Sequence, residues 1–315
     1  MKARHLTALK STRTKTSMRQ IRIVLLLAGL ALSAGSVAAV EFSGTISSTL
    51  TITEDSQLVG NVTCTAVETP CILIGASDVR LRLNGFTITG PATPPENCLT
   101  PANFLPGDGI NMAGRKNVLI LGPGIVQRFR RHGVFVGTST RVSVRQITVT
   151  HNCFSGVFLG GTNESNVEDN VLVRNGIASG ANPCGGNCIT NSNSNVIHRN
   201  VIGGNGSAEP NNDFGIGLVG TSSFNEIEEN TVVGNTNGIL IQAGARSNVL
   251  RRNIIVGNPP VQVNATFGAF GGADVNNLAP AGANWMDANI CGSYTGAEPS
   301  PCSYVWKIGG GAGVN

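Results

Sequence analysis

Five segments in the middle of the chain superpose: Arg141–Asn152 (RVSVRQITVTHN), Ser165–Gly176 (SNVEDNVLVRNG), Ser194–Gly206 (SNVIHRNVIGGNG), Phe224–Asn235 (FNEIEENTVVGN) and Ser247–Asn258 (SNVLRRNIIVGN). In each, an aliphatic residue (Val144, Val167, Ile197, Ile227, Leu250) stands three residues before Ile147, Asn170, Asn200, Asn230 or Asn253. Five residues further on stand Asn152, Asn175, Asn205, Asn235 and Asn258, at spacings of 23, 30, 30 and 23. The segments are joined to strands that open with glycine and alternate apolar residues: GVFV at Gly133, GVFL at Gly156, GIGL at Gly215, GILI at Gly238 and, more weakly, GNCI at Gly186.

Short apolar alternations divided by Asn and Gly at a near-constant period describe a solenoid with three short strands per coil, and parallel crossovers coil right-handed. The expected fold is therefore all-β, a right-handed parallel β-helix. Coils stack at roughly 4.8 Å, so residues at one repeat position form a column. Asparagine tolerates left-handed backbone at a turn and can pass its amide hydrogen bond to the asparagine above. The Asn columns are read as structural. Less regular coils, Ile72–Gly90 and Gly109–Gln127, extend the solenoid toward the N-terminus. Gly215–Gly220 satisfies GxGxxG, but it is a repeat strand with no helix after it to receive a phosphate.

Outside the repeats, a basic stretch precedes the apolar run Ile23 to Leu32 and the small residues Ser36, Ala38 and Ala39, the order of a signal peptide. Residues 1–39 are assigned to it, 40–264 to the β-helix and 265–315 to a cysteine-containing cap and tail. Cleavage removes seven of the 22 Lys and Arg residues and leaves 15 against 18 acidic ones. A mildly acidic mature chain argues against nucleic acid. No later stretch is long enough to cross a membrane. All eight cysteines follow the leader, which indicates a secreted or periplasmic protein with four disulfides. Local spacing pairs Cys64 with Cys71, Cys184 with Cys188 and Cys291 with Cys302, and leaves Cys98 for Cys153.

These repeat strings resemble the secreted bacterial right-handed β-helix proteins of the pectate-lyase-like superfamily, including the periplasmic copper-binding β-helix group, from about Ser56 to Val263. The resemblance implies the fold and a cysteine-closed tail (Asn284–Cys302). It leaves function open, because the superfamily hosts lyases, hydrolases, epimerases and non-catalytic members.

Two adjacent outward columns carry charge: Arg145, Glu168, His198, Glu228, Arg251, and Gln146, Asp169, Arg199, Glu229, Arg252. Their alternating signs describe an exposed ion-pair ladder, each pair contributing about 0–1 kcal/mol. A third column, Phe135, Phe158, Cys188 and Leu240, is apolar and is read as a dock for the proline-rich insertion Pro91–Pro106.

The candidate site lies elsewhere. Insertions precede the Gly strand in successive coils, and loops on one solenoid edge commonly bind ligands. This edge gathers Arg128, Phe129, Arg130, Phe154, Arg174, Glu209 and Phe214 as substrate-binding candidates, with arginines to grip carboxylates and rings to stack on pyranoses. If the edge is catalytic, its chemistry is β-elimination on a uronate polymer, with His132 or His151 as base and Arg131 neutralising the carboxylate. Asp213 with Glu209 forms the alternative carboxylate pair of a hydrolase. The leading reading is an exported carbohydrate-recognising protein, a polysaccharide lyase if an enzyme at all. The competing reading is a non-catalytic solenoid that binds a protein partner. Neither calls for a cofactor or metal, and a monomer is expected.

Overall fold

The computed structural model describes residues 38–93, 98, 107–177, 184–206, 214–258 and 273–304, so nearly all of the segment 1–39 lies outside it. All strand pairs in these residues are parallel and each joins one coil to the next. The strands stack on three faces. The first runs from Arg80–Arg82 to Trp285–Asp287, the second from Thr87–Thr89 through Asn289–Cys291 to Cys302–Tyr304, and the third from Leu50–Ile52 to Tyr294–Thr295.

Strands of three residues leave one side chain pointing inward, and the sequence puts a large aliphatic there. Ile120, Val144, Val167, Ile197, Ile227 and Leu250 line the first face, and Val126, Val149, Leu172, Ile202, Val232 and Ile255 the second, all buried. Each such side chain contributes roughly 1.5–3 kcal/mol of transfer free energy. The third face adds Ile110, Val134, Val157, Ile216 and Ile239 in register. Asn187 stands in that aliphatic column between Val157 and Ile216, buried and with neither amide atom bonded.

The corners are made by left-handed residues. Between the first and second faces, Gln146, Asp169, Arg199, Glu229 and Arg252 have φ of 57, 56, 51, 53 and 54°. Ile147 follows the first turn; the asparagine that follows each of the other four is buried and bonded as a ladder: the Asn200 N–H and Nδ2 both donate to Asn230 Oδ1 (3.0 Å each), and Nδ2 also donates to the Val167 carbonyl (2.8 Å). A second ladder runs Asn152, Asn175, Asn205, Asn235, Asn258 between the second and third faces. A third, Asn195, Asn225, Asn248, Asn284, stands between the third and first faces beside a hydroxyl column of Thr162, Ser192 and Ser222. Its signal is the asparagine in the second place of the Ser194, Phe224 and Ser247 segments, which the two-column reading passes over.

The solenoid does not stop at residue 264. Val275–Asn277, Trp285–Asp287 and Asn289–Cys291 continue the three faces, because the ladders need a further coil to accept their last donors. Disulfides join Cys64 to Cys71, Cys98 to Cys153 and Cys291 to Cys302. Cys188 is also disulfide-bonded. The side chain of Cys184, its expected partner, is outside the described residues.

The charged columns stack in the expected register, with Arg145–Glu168, Arg199–Asp169, Arg251–Glu228 and Arg252–Glu229 pairs. They depart from a purely exposed ladder at Glu168 and Glu228, which are 8% and 6% exposed. The long arginine side chains of neighbouring coils bind and cover these two acids.

Candidate functional site

At the corner between the second and third faces one backbone position is left-handed in six coils: Arg128, His151, Arg174, Gly204, Gly234 and Gly257 (φ 60, 54, 56, 59, 64 and 65°). Three of these coils use the residue that suits such a turn. The other three place a basic side chain there, against the conformational preference of L-residues. Arg128 and Arg174 are exposed and His151 is half-buried between them. Neither arginine has a carboxylate partner among the described residues, whereas Arg145, Arg199, Arg251 and Arg252, at the corner between the first and second faces, are each paired with an acid. His151 Nδ1 lies 2.9 Å from Thr150 Oγ1. Burial, then the fields of Arg174 and Arg128, push the His151 pKa below the ordinary imidazole value. That shift favours the uncharged ring.

Farther along the same turn sits a buried cluster. Asp108 Oδ1 accepts the His132 N–H (3.1 Å), Oδ2 accepts Asn111 Nδ2 (2.8 Å), and Arg131 Nη1 lies 3.5 Å from Oδ2. Burial raises the Asp108 pKa to about 6 against the opposing pull of Arg131, Asn111 and the His132 amide. Burial and then Arg131 hold the His132 pKa well below normal. The His132 ring packs at 4.7 Å from Phe158 and 5.8 Å from Phe135 and Phe154, and Arg131 lies 5.0 Å over Phe135. Arg131 Nε and His132 Nδ1 are buried with no hydrogen-bond partner. Asp108 and Asn111 complete this cluster, yet Asn111 carried no sequence signal.

The structure thus divides the candidates. Arg128, His151 and Arg174 are brought together and accessible. His132 is 3% exposed, so it cannot reach a polymer as a base without the cluster opening. The three phenylalanines are corrected from sugar platforms to packing groups. Phe129 belongs to the main core, so tightly held that a Cβ at Gly90 or Gly109 would lie within 2.6 or 2.7 Å of its ring. Phe154 packs with Ala92, Cys153 and Cys98 beside the disulfide, and Phe214 is 3% exposed. Arg130 is half-buried in the same turn. Glu209 and Asp213 lie outside the described residues. The apolar column of the third face is present, with Phe135 and Phe158 stacked at 5.4 Å and Gly217 between Cys188 and Leu240. Most of the insertion read as its cover lies outside the described residues, apart from Pro91–Thr93, Cys98, Gly107 and Asp108.

The sequence profile of the family described as periplasmic copper-binding protein (NosD) matches residues 87–273, more than half of the chain. The chain belongs to this family. No curated protein sequence is detectably similar to it. Among solved structures, tailspike protein 2 from Escherichia coli O157:H7 bacteriophage CAB120 superposes with a TM-score of 0.50 at 13% identity, over 79% of this chain and 34% of that one. The Dettilon tailspike protein gives 0.50 at 15% identity, over 80% and 55%. The periplasmic alginate epimerase AlgG gives 0.49 at 12%, over 82% and 74%. This NosD-family chain spans about a third and about half of the two tailspikes' lengths, and the likeness is one of fold, the right-handed parallel β-helix. The family and the disulfides make it a secreted or periplasmic protein.

Proposed function

We propose that the protein binds an acidic polysaccharide along the Arg128–His151–Arg174 column. The observation that carries this reading is the contrast between corners. At the corner between the first and second faces Arg145, Arg199, Arg251 and Arg252 are paired with acids in adjacent coils, and here two arginines and a histidine stack with no acid among the described residues. At one coil per roughly 4.8 Å, the two guanidiniums stand about 10 Å apart with the imidazole between them. A polymer with a carboxylate on each sugar meets that row with bidentate, charge-assisted hydrogen bonds.

His151 favours a second step, β-elimination. Its pKa is pushed below the ordinary imidazole value, which favours the uncharged ring a base needs, and it is flanked by cations that would neutralise a uronate carboxylate, acidifying the adjacent C–H. His151 Nε2 takes that proton, the C–H electron pair forms the new C=C bond, the glycosidic C–O bond breaks with its pair onto the leaving oxygen, water protonates that oxygen, and the products are an unsaturated sugar and a new hydroxyl chain end.

Copper, which the family's name raises, finds a poor donor set. It favours imidazole and sulfur ligands. Among the described residues, the one group of three candidate ligands within 4.8 Å is His198, Glu228 and Glu229. Arg251 and Arg252 already hold those carboxylates, and Arg199 Nη1 lies 3.0 Å from His198 Nδ1. One imidazole among three guanidiniums does not fit the ion.

Calorimetric titration with polygalacturonate and alginate oligomers, beside neutral glucans and at low and high salt, tests the binding. Salt-sensitive affinity for the polyuronates alone is expected, with at least a tenfold loss in R128G/R174G. Equal binding by that variant would end the reading. Ultraviolet absorbance of unsaturated ends tests the elimination, which H151A should abolish while keeping affinity.

A further inference from the structure

The last described strand of the first face, Trp285–Asp287, pairs with Val249–Arg251 on one side and, among the described residues, with no strand of that face on the other. The chain then returns past it through Glu298, Pro299, Ser300 and Pro301. Two prolines lack the N–H groups a further strand would need, so this segment passes beside the edge without joining it. A cavity of about 500 Å³ remains, lined by Ser247, Val249, Trp285, Glu298, Pro299 and Pro301 among others. That volume lies within the roughly 300–1,000 Å³ of small-molecule sites.

Its chemistry is mixed in a particular way. Trp285 is 56% exposed, a large rigid ring left open to solvent at the cavity wall. Glu298 is fixed across from the strand edge: Oε1 accepts Asn277 Nδ2 (3.2 Å) and Oε2 accepts the Gly282 N–H (3.1 Å). Each oxygen keeps capacity for a further donor. An aromatic face beside an oriented carboxylate suits a ligand that has one apolar face and hydroxyl donors at its rim. We infer that this cavity is a binding subsite for a neutral pyranose, separate from the basic corner. Glu298 repels a uronate, which the arginine column attracts. A peptide adding a strand is disfavoured because the free edge is only three residues long. A second copy of the chain is disfavoured because a stable interface needs roughly 800 Å² from each partner, and the apolar wall here is little more than one indole and its neighbours.

The chain's two tryptophans are Trp285 and Trp306, so the W306F variant leaves Trp285 as the sole indole reporter. Titrating it with cello-, malto- and N-acetylglucosamine oligomers should give a saturable fluorescence change with at least one. Calorimetry should show that binding lost in W285A and weakened at least tenfold in E298Q, with melting temperatures near the parent's, and unchanged in R128G/R174G. That last variant separates this subsite from the basic corner, so either site can fail alone. Silence toward every neutral oligomer, an equal response to uronate oligomers, or a signal that follows protein concentration through self-association would each overturn the proposal.

Discussion

Asn230 stands at the centre of a ladder: its Oδ1 accepts the Asn200 N–H and Nδ2, its N–H and Nδ2 donate to Asn253 Oδ1, and Nδ2 also donates to the Ile197 carbonyl. Asn230→Leu strands several of these buried groups at about 1–3 kcal/mol each, so unfolding should lose at least about 3 kcal/mol. Glu228→Ala removes a carboxylate from Arg251 and Arg252, but those arginines are 35% and 49% exposed and can rehydrate. A loss of about 1 kcal/mol is expected there, at the top of the range for exposed pairs. Comparable denaturant midpoints for the two variants would refute the difference. Asp108 gives a residue-scale pH effect. Its folded pKa of about 6 lies above the unfolded value of 3.8, so it favours the folded state as pH falls through 6 toward 4. That contribution is at most about 3 kcal/mol. His132, depressed in the fold, acts oppositely, losing stability as pH falls below its unfolded 6.5. Melting temperatures of Asp108→Asn from pH 7 to 4 should therefore fall more steeply than the parent's. Parallel curves would mean that Asp108 does not bind its proton more tightly in the folded state.

At the scale of one turn, the left-handed column separates fold from function. Arg128 and Arg174 hold φ values where glycine is unstrained, so R128G/R174G should melt at or slightly above the parent temperature, up to about 1 kcal/mol per site. It should nevertheless lose polyuronate affinity. Gly234→Val, at the same position two coils beyond Arg174, should instead destabilise by at least about 1 kcal/mol, because a β-branched residue resists that region. A melting loss in R128G/R174G matching that of Gly234→Val would show these basic residues to be structural. Much of this element was legible in the chain. Repeat spacing put Arg174 in the column of His151 and glycine in the coils beyond, and predicted which asparagines stack. The inward turn of Phe129 was not legible. The stretch Arg128–His132 (RFRRH) interrupts the repeat, and its arginines read as grips for substrate carboxylates with Phe129 among them, while the glycines that make room for the ring, Gly90 and Gly109, lie in a neighbouring coil. Burial of Asp108 and His132 was hidden for the same reason: it depends on packing across coils where the period breaks.

Across the whole molecule, a solenoid's stability is set by contacts between adjacent coils, so its ends decide where unfolding begins. The coils after Asn258 serve as that end. Asn284 and Asn289 terminate two ladders, and Asp274 terminates the third in a different way. Asp274 Oδ1 takes the Asn258 N–H and Nδ2, while Oδ2 takes the Gly292 and Ser293 N–H groups, at 2.7–3.1 Å. An asparagine could continue the ladder but would turn an amide nitrogen toward donors on one side; only a carboxylate accepts on both. Asp274→Asn should therefore destabilise, and Asp274→Ala more so, by about 3 kcal/mol given that hydrogen bonds to charged groups contribute about 1.5–3 kcal/mol each and add imperfectly. The loss should be local before it is global. Native-state hydrogen exchange of Asp274→Ala should accelerate first in Thr231–Val233, Asn237–Ile241 and Ile254–Val256, leaving Val144, Val149 and their coil protected as in the parent. Exchange rising equally in every coil would show that the solenoid unfolds as one unit and that Asp274 is no terminal cap.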